Sequence, residues 1–171
     1  MAGSLIKIQE EIVTSAVASV TLTGIDSTYD VYMTKMNNVA PVTNLADLQF
    51  RVTESGTPNT TSNYDQSAKL LRADTTFQNL ADTNRGFWIF SGSVDNGTGE
   101  NLNNIMYIFN ANNSSEYTFV TIESTYIDSN NFKGIQGGGV FTSASTVDGV
   151  NIFFDTGNIA SGTFTLYGLK K

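Results

Sequence analysis

Apolar and polar residues alternate with a period of two along most of the chain, the pattern of strands that bury one face. In AVASVTLTGI, Ala16, Ala18, Val20 and Leu22 fall on one side, with Val17, Ser19, Thr21 and Thr23 on the other. YDVYMTKM follows the turn GIDST, and DLQFRVTES sets Leu48, Phe50 and Val52 against Gln49, Arg51 and Thr53. NIMYIFNA (104–111) and EYTFVTIESTYI (116–127) are separated by NNSS, a polar cluster suited to a hairpin. Both carry aromatic and β-branched residues on each face, so each face is expected to be covered, in a sandwich interior or at a subunit contact. GVNIFFD and GTFTLYGL, linked by TGNIAS, close the chain, with Phe164 and Leu166 opposed to Thr163, Thr165 and Tyr167. Helical spacing is scarce. SNYDQSAKLLRA (62–73) and TTFQNLAD (75–82) allow a turn or two of helix or an irregular strand edge. Turn-punctuated strands, about nine or ten of them, predict one all-β domain over residues 1–171. The expected architecture is an antiparallel β-sandwich, a jelly roll of about eight to ten strands.

Composition supports this picture. Thr, Asn and Ser supply 56 of 171 positions, which favours strands and turns over helices. A chain this long buries enough surface to fold without a disulfide or metal staple. It has neither Cys nor His, which excludes zinc fingers, thiol nucleophiles and imidazole bases. The formal net charge of −7 and nine scattered basic residues leave little to hold a phosphate backbone, so nucleic acid is not an expected partner. The segment MAGSLIKIQEEIV lacks a basic stretch followed by a long apolar one, and no later window approaches about 18 uninterrupted apolar residues. Neither export by the usual signal nor membrane spanning is expected. Sequons beginning at Asn59, Asn96, Asn112 and Asn113 then read as turn residues.

Candidate chemistry is sparse. Gly134, Gly137, Gly138 and Gly139 in FKGIQGGGVFTS spell neither the dinucleotide fingerprint nor a phosphate loop, and VFTSAS after them reads as strand, not helix. A bulge or sharp bend is expected there. SVDNGTGENLNN gathers Asp95, Asn96, Glu100 and Asn101, oxygen ligands that calcium accepts, but without the spacing of an EF-hand. It reads as a surface loop. Asp26, Asp30, Asp128, Asp148 and Asp155 lie near turns, where a carboxylate satisfies backbone N–H groups. Glu10 and Glu11, like Glu116 and Glu123, have odd separations that direct them to opposite faces of a strand, which does not make a glycosidase pair. No catalytic, cofactor or metal residue is assigned, and no cofactor is expected. Phe87, Trp88 and Phe90, with Tyr64, Tyr126 and Tyr167, either fill the core or stack on sugars or proteins, and Trp88 is the first to test.

GNIASGTFTLYGLKK at the C-terminus resembles the closing segment of small β-rich structural proteins of tailed bacteriophages, particularly those of marine and cyanobacterial hosts. SLIKIQEEIVTSAVASVTLTGIDSTYDVYM, YIFNANNSSEYTFVTIES and GIQGGGVFTS are similar to parts of the same family, so the resemblance spans most of the chain. It implies a virion localisation and a non-enzymatic jelly-roll component: a capsid decoration or cement protein clamping major capsid subunits, a head fibre, or a tail module recognising a host glycan. The implied partners are the major capsid protein or other virion proteins, and a homotrimer is the implied assembly.

Overall fold

The structure, a computed structural model, describes residues 4–170, and these contain thirteen strands and no helix. They are β1 (Ser4–Val13), β2 (Ser19–Thr23), β3 (Val31–Pro41), β4 (Ala46–Glu54), β5 (Thr57–Pro58), β6 (Tyr64–Arg72), β7 (Gln78–Arg85), β8 (Trp88–Val94), β9 (Leu102–Phe109), β10 (Thr118–Asp128), β11 (Asn131–Phe141), β12 (Gly149–Phe154) and β13 (Ile159–Lys170). One sheet has eight strands in the order β1-β13-β3-β9-β10-β11-β6-β7. The other runs β2-β12-β4, with β8 and the short β5 both pairing along the remaining edge of β4.

Every ladder is antiparallel, and the pairings nest. β1 pairs with β13, β2 with β12, β3 with β9 and β4 with β8. A chain folded back on itself in this way and then rolled puts β1-β13-β3-β9 in one sheet and β2-β12-β4-β8 in the other, which is the strand order of a jelly roll. The remaining strands are additions to that frame. β6 and β7 lie between β4 and β8, and β10 and β11 between β9 and β12. All four join the edge at β9 and double the width of the larger sheet.

The core lies between the two sheets. Leu48, Phe50 and Val52 of β4, with Val150, Ile152 and Phe154 of β12, face Met36, Met106, Ile108, Phe164 and Leu166 of the larger sheet. Under the added strands β8 takes over this role. Trp88 meets Tyr64 edge-on at 5.0 Å and Phe90 in a stack at 6.1 Å, and Phe141 packs on Tyr64 at 4.9 Å. Each such ring removes enough apolar surface from water to contribute about 1.5–3 kcal/mol.

Three readings are resolved or corrected. Of the segments left open between a helical turn and an irregular strand edge, residues 62–73 supply β6 and residues 75–82 supply the start of β7, with an irregular register between them, because β6 is held on both sides by β11 and β7. β1 is a full strand that the alternation did not announce. Most notably, the glycine run neither bulges nor bends. β11 keeps unbroken register with β10 and with β6, and none of its glycines has positive φ. The reason for glycine is lateral crowding. A methyl on Gly137 would strike Ser67 and Ala68, one on Gly138 would lie 2.6 Å from the Val120 carbonyl oxygen, and one on Gly139 would lie 2.6 Å from the Trp88 ring nitrogen. The sharp turn comes before the run, where Ser129 and Asn130 take φ of 52° and 64° and connect β10 to β11 in two residues.

The turn carboxylates do bind backbone amides. The Thr28 amide donates to Asp26 at 2.8 Å, the Gly56 amide to Asp148 at 2.7 Å and the Asp47 amide to Asp155 at 2.8 Å. Asp128 differs: it pairs with the buried Lys133 ammonium.

Candidate functional site: the outer face of the larger sheet

Strict alternation along β9 and β10 fixes what the larger sheet shows to solvent. Leu102, Asn104, Met106 and Ile108 point inward, so Ile105, Tyr107 and Phe109 point outward. On β10, Phe119, Thr121 and Glu123 are the outward set. Register then joins these side chains into a band. Val31, Phe109, Phe119 and Val140 stand side by side across four strands, and Met33 stands beside Tyr107. Tyr167 and Leu169 of β13 and Leu5 of β1 continue it to the sheet edge. Phe119 remains 45% exposed, Tyr107 37% and Ile105 37%, while Val31, Phe109 and Val140 are half-buried and Met33 is buried among its neighbours. A contiguous aromatic and aliphatic surface of this kind marks a contact with another molecule.

One glycine of the run, Gly138, opposes outward Thr121 and shapes the same face. Ile105, Tyr107, Thr121, Glu123 and Gln136 surround a hollow of about 520 Å³ on this face, with the Gly137 backbone at its edge; the missing Gly137 side chain would point inward, beside Ile122 and Ala68. Gly138 and Gly139 line a second hollow of about 370 Å³ against Phe119 and Val140. Gln136 donates to Glu123 at 3.0 Å on the rim. Large partner side chains could seat here because the sheet is locally stripped of its own.

The outer face of the smaller sheet is different. It presents Thr21, Asn151, Gln49 and Arg51 in register. Its aromatic residues are already engaged: the Arg51 guanidinium lies 4.4 Å from the Phe153 ring centre and donates to the Gly86 carbonyl at 3.0 Å. Little apolar surface there lacks a partner.

A third region is the cleft of about 540 Å³ where β6 and β7 overhang β8. Asp47, Gln66, Arg72, Asp82, Tyr126, Asp128 and Lys133 contribute polar atoms to it. Most are spoken for: Arg72 pairs with Asp74, Arg85 with Asp82, and Lys133 with Asp128. Burial pushes the Tyr126 hydroxyl up to about 12, so it stays protonated while accepting the Gly92 amide at 3.3 Å. Burial also raises Asp47, opposed by the Ser93 amide that donates to it at 2.7 Å. These groups support the fold of the overhang.

The predicted aromatic candidates divide sharply. Trp88, Phe90, Tyr64 and Tyr126 are buried, and the Trp88 ring nitrogen donates inward to the Asp65 carbonyl at 3.1 Å, so Trp88 is not a sugar platform. Phe87 and Tyr167 are half-buried on outer faces. Phe119 and Tyr107 do reach solvent, and they lie in strands whose two-sided apolarity was the signal that pointed to a contact; Phe77, Tyr117 and Phe132 are exposed outside those two strands.

The oxygens of the Asp95 loop do not converge. Asp95 accepts the Asn130 amide, the Asn96 side chain donates to the Val42 carbonyl, and Glu100 accepts the Gly97 amide within its own turn. Among the described residues no group of three or more His, Cys, Asp or Glu side chains is placed to hold a metal ion. Glu10 and Glu11 lie on opposite faces of β1, opposite Thr165 and Phe164 respectively. No family model matches the chain, and neither curated proteins nor solved structures yield a match to it.

Proposed function

We propose that this chain is a non-enzymatic structural protein of a bacteriophage virion, a capsid decoration protein that docks the outer face of its larger sheet on neighbouring shell subunits. The observation that carries the reading is the band through Val31, Tyr107, Phe109, Phe119 and Val140, in which Tyr107 and Phe119 are exposed and the rest half-exposed. Burying it would add interface area to a shell, and any contact made only by the assembled state stabilises that state by mass action. The sequence resemblance supplies the setting, and a jelly-roll frame with short loops suits a rigid clamp.

Cryo-electron microscopy of particles carrying the protein tests this directly. Density at capsid lattice sites, with Phe119 and Tyr107 against another subunit, is the expected result. Density confined to the tail, or the band facing solvent in the particle, rejects it.

A second reading, a tail module recognising a host surface glycan, draws on the hollow beside Tyr107. There an exposed ring stands next to Glu123, Gln136 and Thr121, a pairing of stacking surface and hydrogen-bonding groups that suits a saccharide. A glycan array distinguishes it: binding lost in Tyr107→Ala supports the tail module, and no binding to any glycan removes it.

A further inference from the structure

The two outer edges of the larger sheet are built differently. β7 ends it with Gln78, Asn79, Asp82, Asn84 and Arg85, polar and charged side chains that discourage another strand from adding. β1 ends it on the other side with ten residues, of which Leu5 is 51% exposed and Ile12 64%. β13 is the strand paired with β1 among the described residues, so the far edge of β1 has no strand against it. The neighbouring edge of the smaller sheet is closed instead: the Gln9 side chain accepts from the Thr23 amide at 2.6 Å and donates to the Thr21 carbonyl at 3.4 Å, occupying β2.

β1 also carries a bulge, since Lys7 opposes Tyr167 and Gln9 opposes Leu166, leaving Ile8 as the extra residue. The bulge reverses the alternation partway along the strand. Leu5, Lys7, Glu10 and Ile12 lie on the outer face, opposite Leu169, Tyr167, Thr165 and Thr163. Gln9 and Glu11 lie on the inner face, opposite Leu166 and Phe164, and Ile8 packs inward on the core. Residues directly opposed in a sheet must share a face. A second β1 laid antiparallel on this edge meets that rule across the bulge in one register, the one whose two-fold axis passes between Ile8 and Gln9. Shifting it by one or two residues in either direction sets an outward residue against an inward one. In the permitted register Lys7, which pairs with its own Glu10 at 3.2 Å, also stands opposite Glu10 of the other copy, and Leu5 opposite Ile12, twice over by symmetry. Charge and apolarity are both self-complementary.

We infer that β1 is a homodimerisation edge: two copies pair through Ser4–Val13 about a two-fold axis to make one continuous sixteen-stranded sheet with a shared outer apolar band. The contact is isologous and closes at two copies, so it is not the threefold arrangement that the resemblance implies. It does not depend on the virion reading.

Sedimentation and light scattering of the full chain over a range of concentrations test it. A particle of twice the 18.5 kDa chain mass is expected. Lys7→Glu or Glu10→Lys alone sets like charges across the two-fold and is expected to weaken the dimer about tenfold. The double reversal restores opposite charges and is expected to recover the dimer. Within one chain Lys7 Nζ already pairs with Glu10 at 3.2 Å, an exposed contact that contributes little to stability, so the unfolding free energy of each variant as a monomer is measured alongside and the dimer loss is read beyond it. Since the chain has no cysteine, Lys7→Cys with Glu10→Cys adds a unique pair. Within one chain the two Cα atoms are roughly 10 Å apart, beyond disulfide reach, so mild oxidation should give a covalent dimer only between copies. A monomer at all concentrations, a trimer, or a dimer indifferent to the charge reversals and yielding no crosslink overturns the inference.

Discussion

The two faces of β9 and β10 are made of nearly the same residue types and meet opposite fates. Inward, Met106, Ile108, Val120 and Ile122 are sealed by the smaller sheet and by β8. Outward, Ile105, Tyr107, Phe109 and Phe119 alternate with them in the same strands and stay exposed or half-exposed. Alternation therefore records how much burial a strand requires and leaves open which molecule supplies it. Where the covering layer is part of the chain, an apolar face becomes core. Where it is not, the same pattern becomes a contact surface, and substitutions on the two faces should act on different quantities.

The largest separation is expected at Trp88. It is fully buried against Tyr64 and Phe90, so Trp88→Ala should lower unfolding free energy by about 3–5 kcal/mol in a denaturant titration. Loss of host adsorption without loss of stability would contradict the core assignment. Gly138→Ala tests the crowding of the glycine run. Its methyl would meet the Val120 carbonyl oxygen, a backbone atom that the flanking ladder holds, so a loss of about 1–3 kcal/mol is expected. A neutral result would mean that β10 and β11 separate easily there.

Much of this frame was legible because alternation survives where one face is sealed. Val20 and Leu22, Leu48, Phe50 and Val52, and Phe164 with Leu166 all point inward as their spacing indicates, whereas before β2 begins Ala16 and Ala18 are exposed and Val17 packs on the core instead. β1 was illegible for the opposite reason: an edge strand exposed on both faces has no buried side to impose a period, and its bulge reverses the parity besides. The glycines misled because glycine is ambiguous between a bend, which needs unusual φ, and close lateral approach, which needs only the missing Cβ. Residues far apart in sequence, Ser67, Trp88 and Val120, decide between the two. Trp88 was ambiguous in a similar way, since a tryptophan suits both core and ligand platform until the position of Asp65 and Tyr64 is known. The outer band was legible only in part: two-sided apolarity showed that a cover is needed, and the register that joins Phe119 to Phe109 and Val31 came from the fold.

On the outer face the expected pattern inverts. Phe119→Ser and Tyr107→Ser remove half-exposed rings and their cross-strand contacts, so the unfolding free energy of the isolated chain should fall by only about 1 kcal/mol each, well short of Trp88→Ala. Binding to shells that lack the protein should fall at least tenfold, read by co-sedimentation. Equal loss of stability on both faces would remove the distinction between core and contact surface.

The smallest effect sharpens the comparison within the overhang, where Asp47 is half-buried beside the cleft. Its carboxyl is raised above 3.8 mainly by burial, with Asp155 and Asp128 adding repulsion. A carboxyl raised on folding favours the folded state when protonated, so this contribution is complete below the unfolded value and is lost as pH rises through the folded one. At neutral pH the ionised group therefore opposes folding slightly. Asp47→Asn retains an oxygen for the Ser93 amide and removes the charge, so it should stabilise the chain at pH 7 by well under 1 kcal/mol once solvent screening is allowed for. The gain should vanish near pH 3, where the wild-type group is protonated in both states. Destabilisation at pH 7 would mean instead that the Ser93 contact needs the full charge, and that this end of the sandwich is held by charged turns in place of apolar contact.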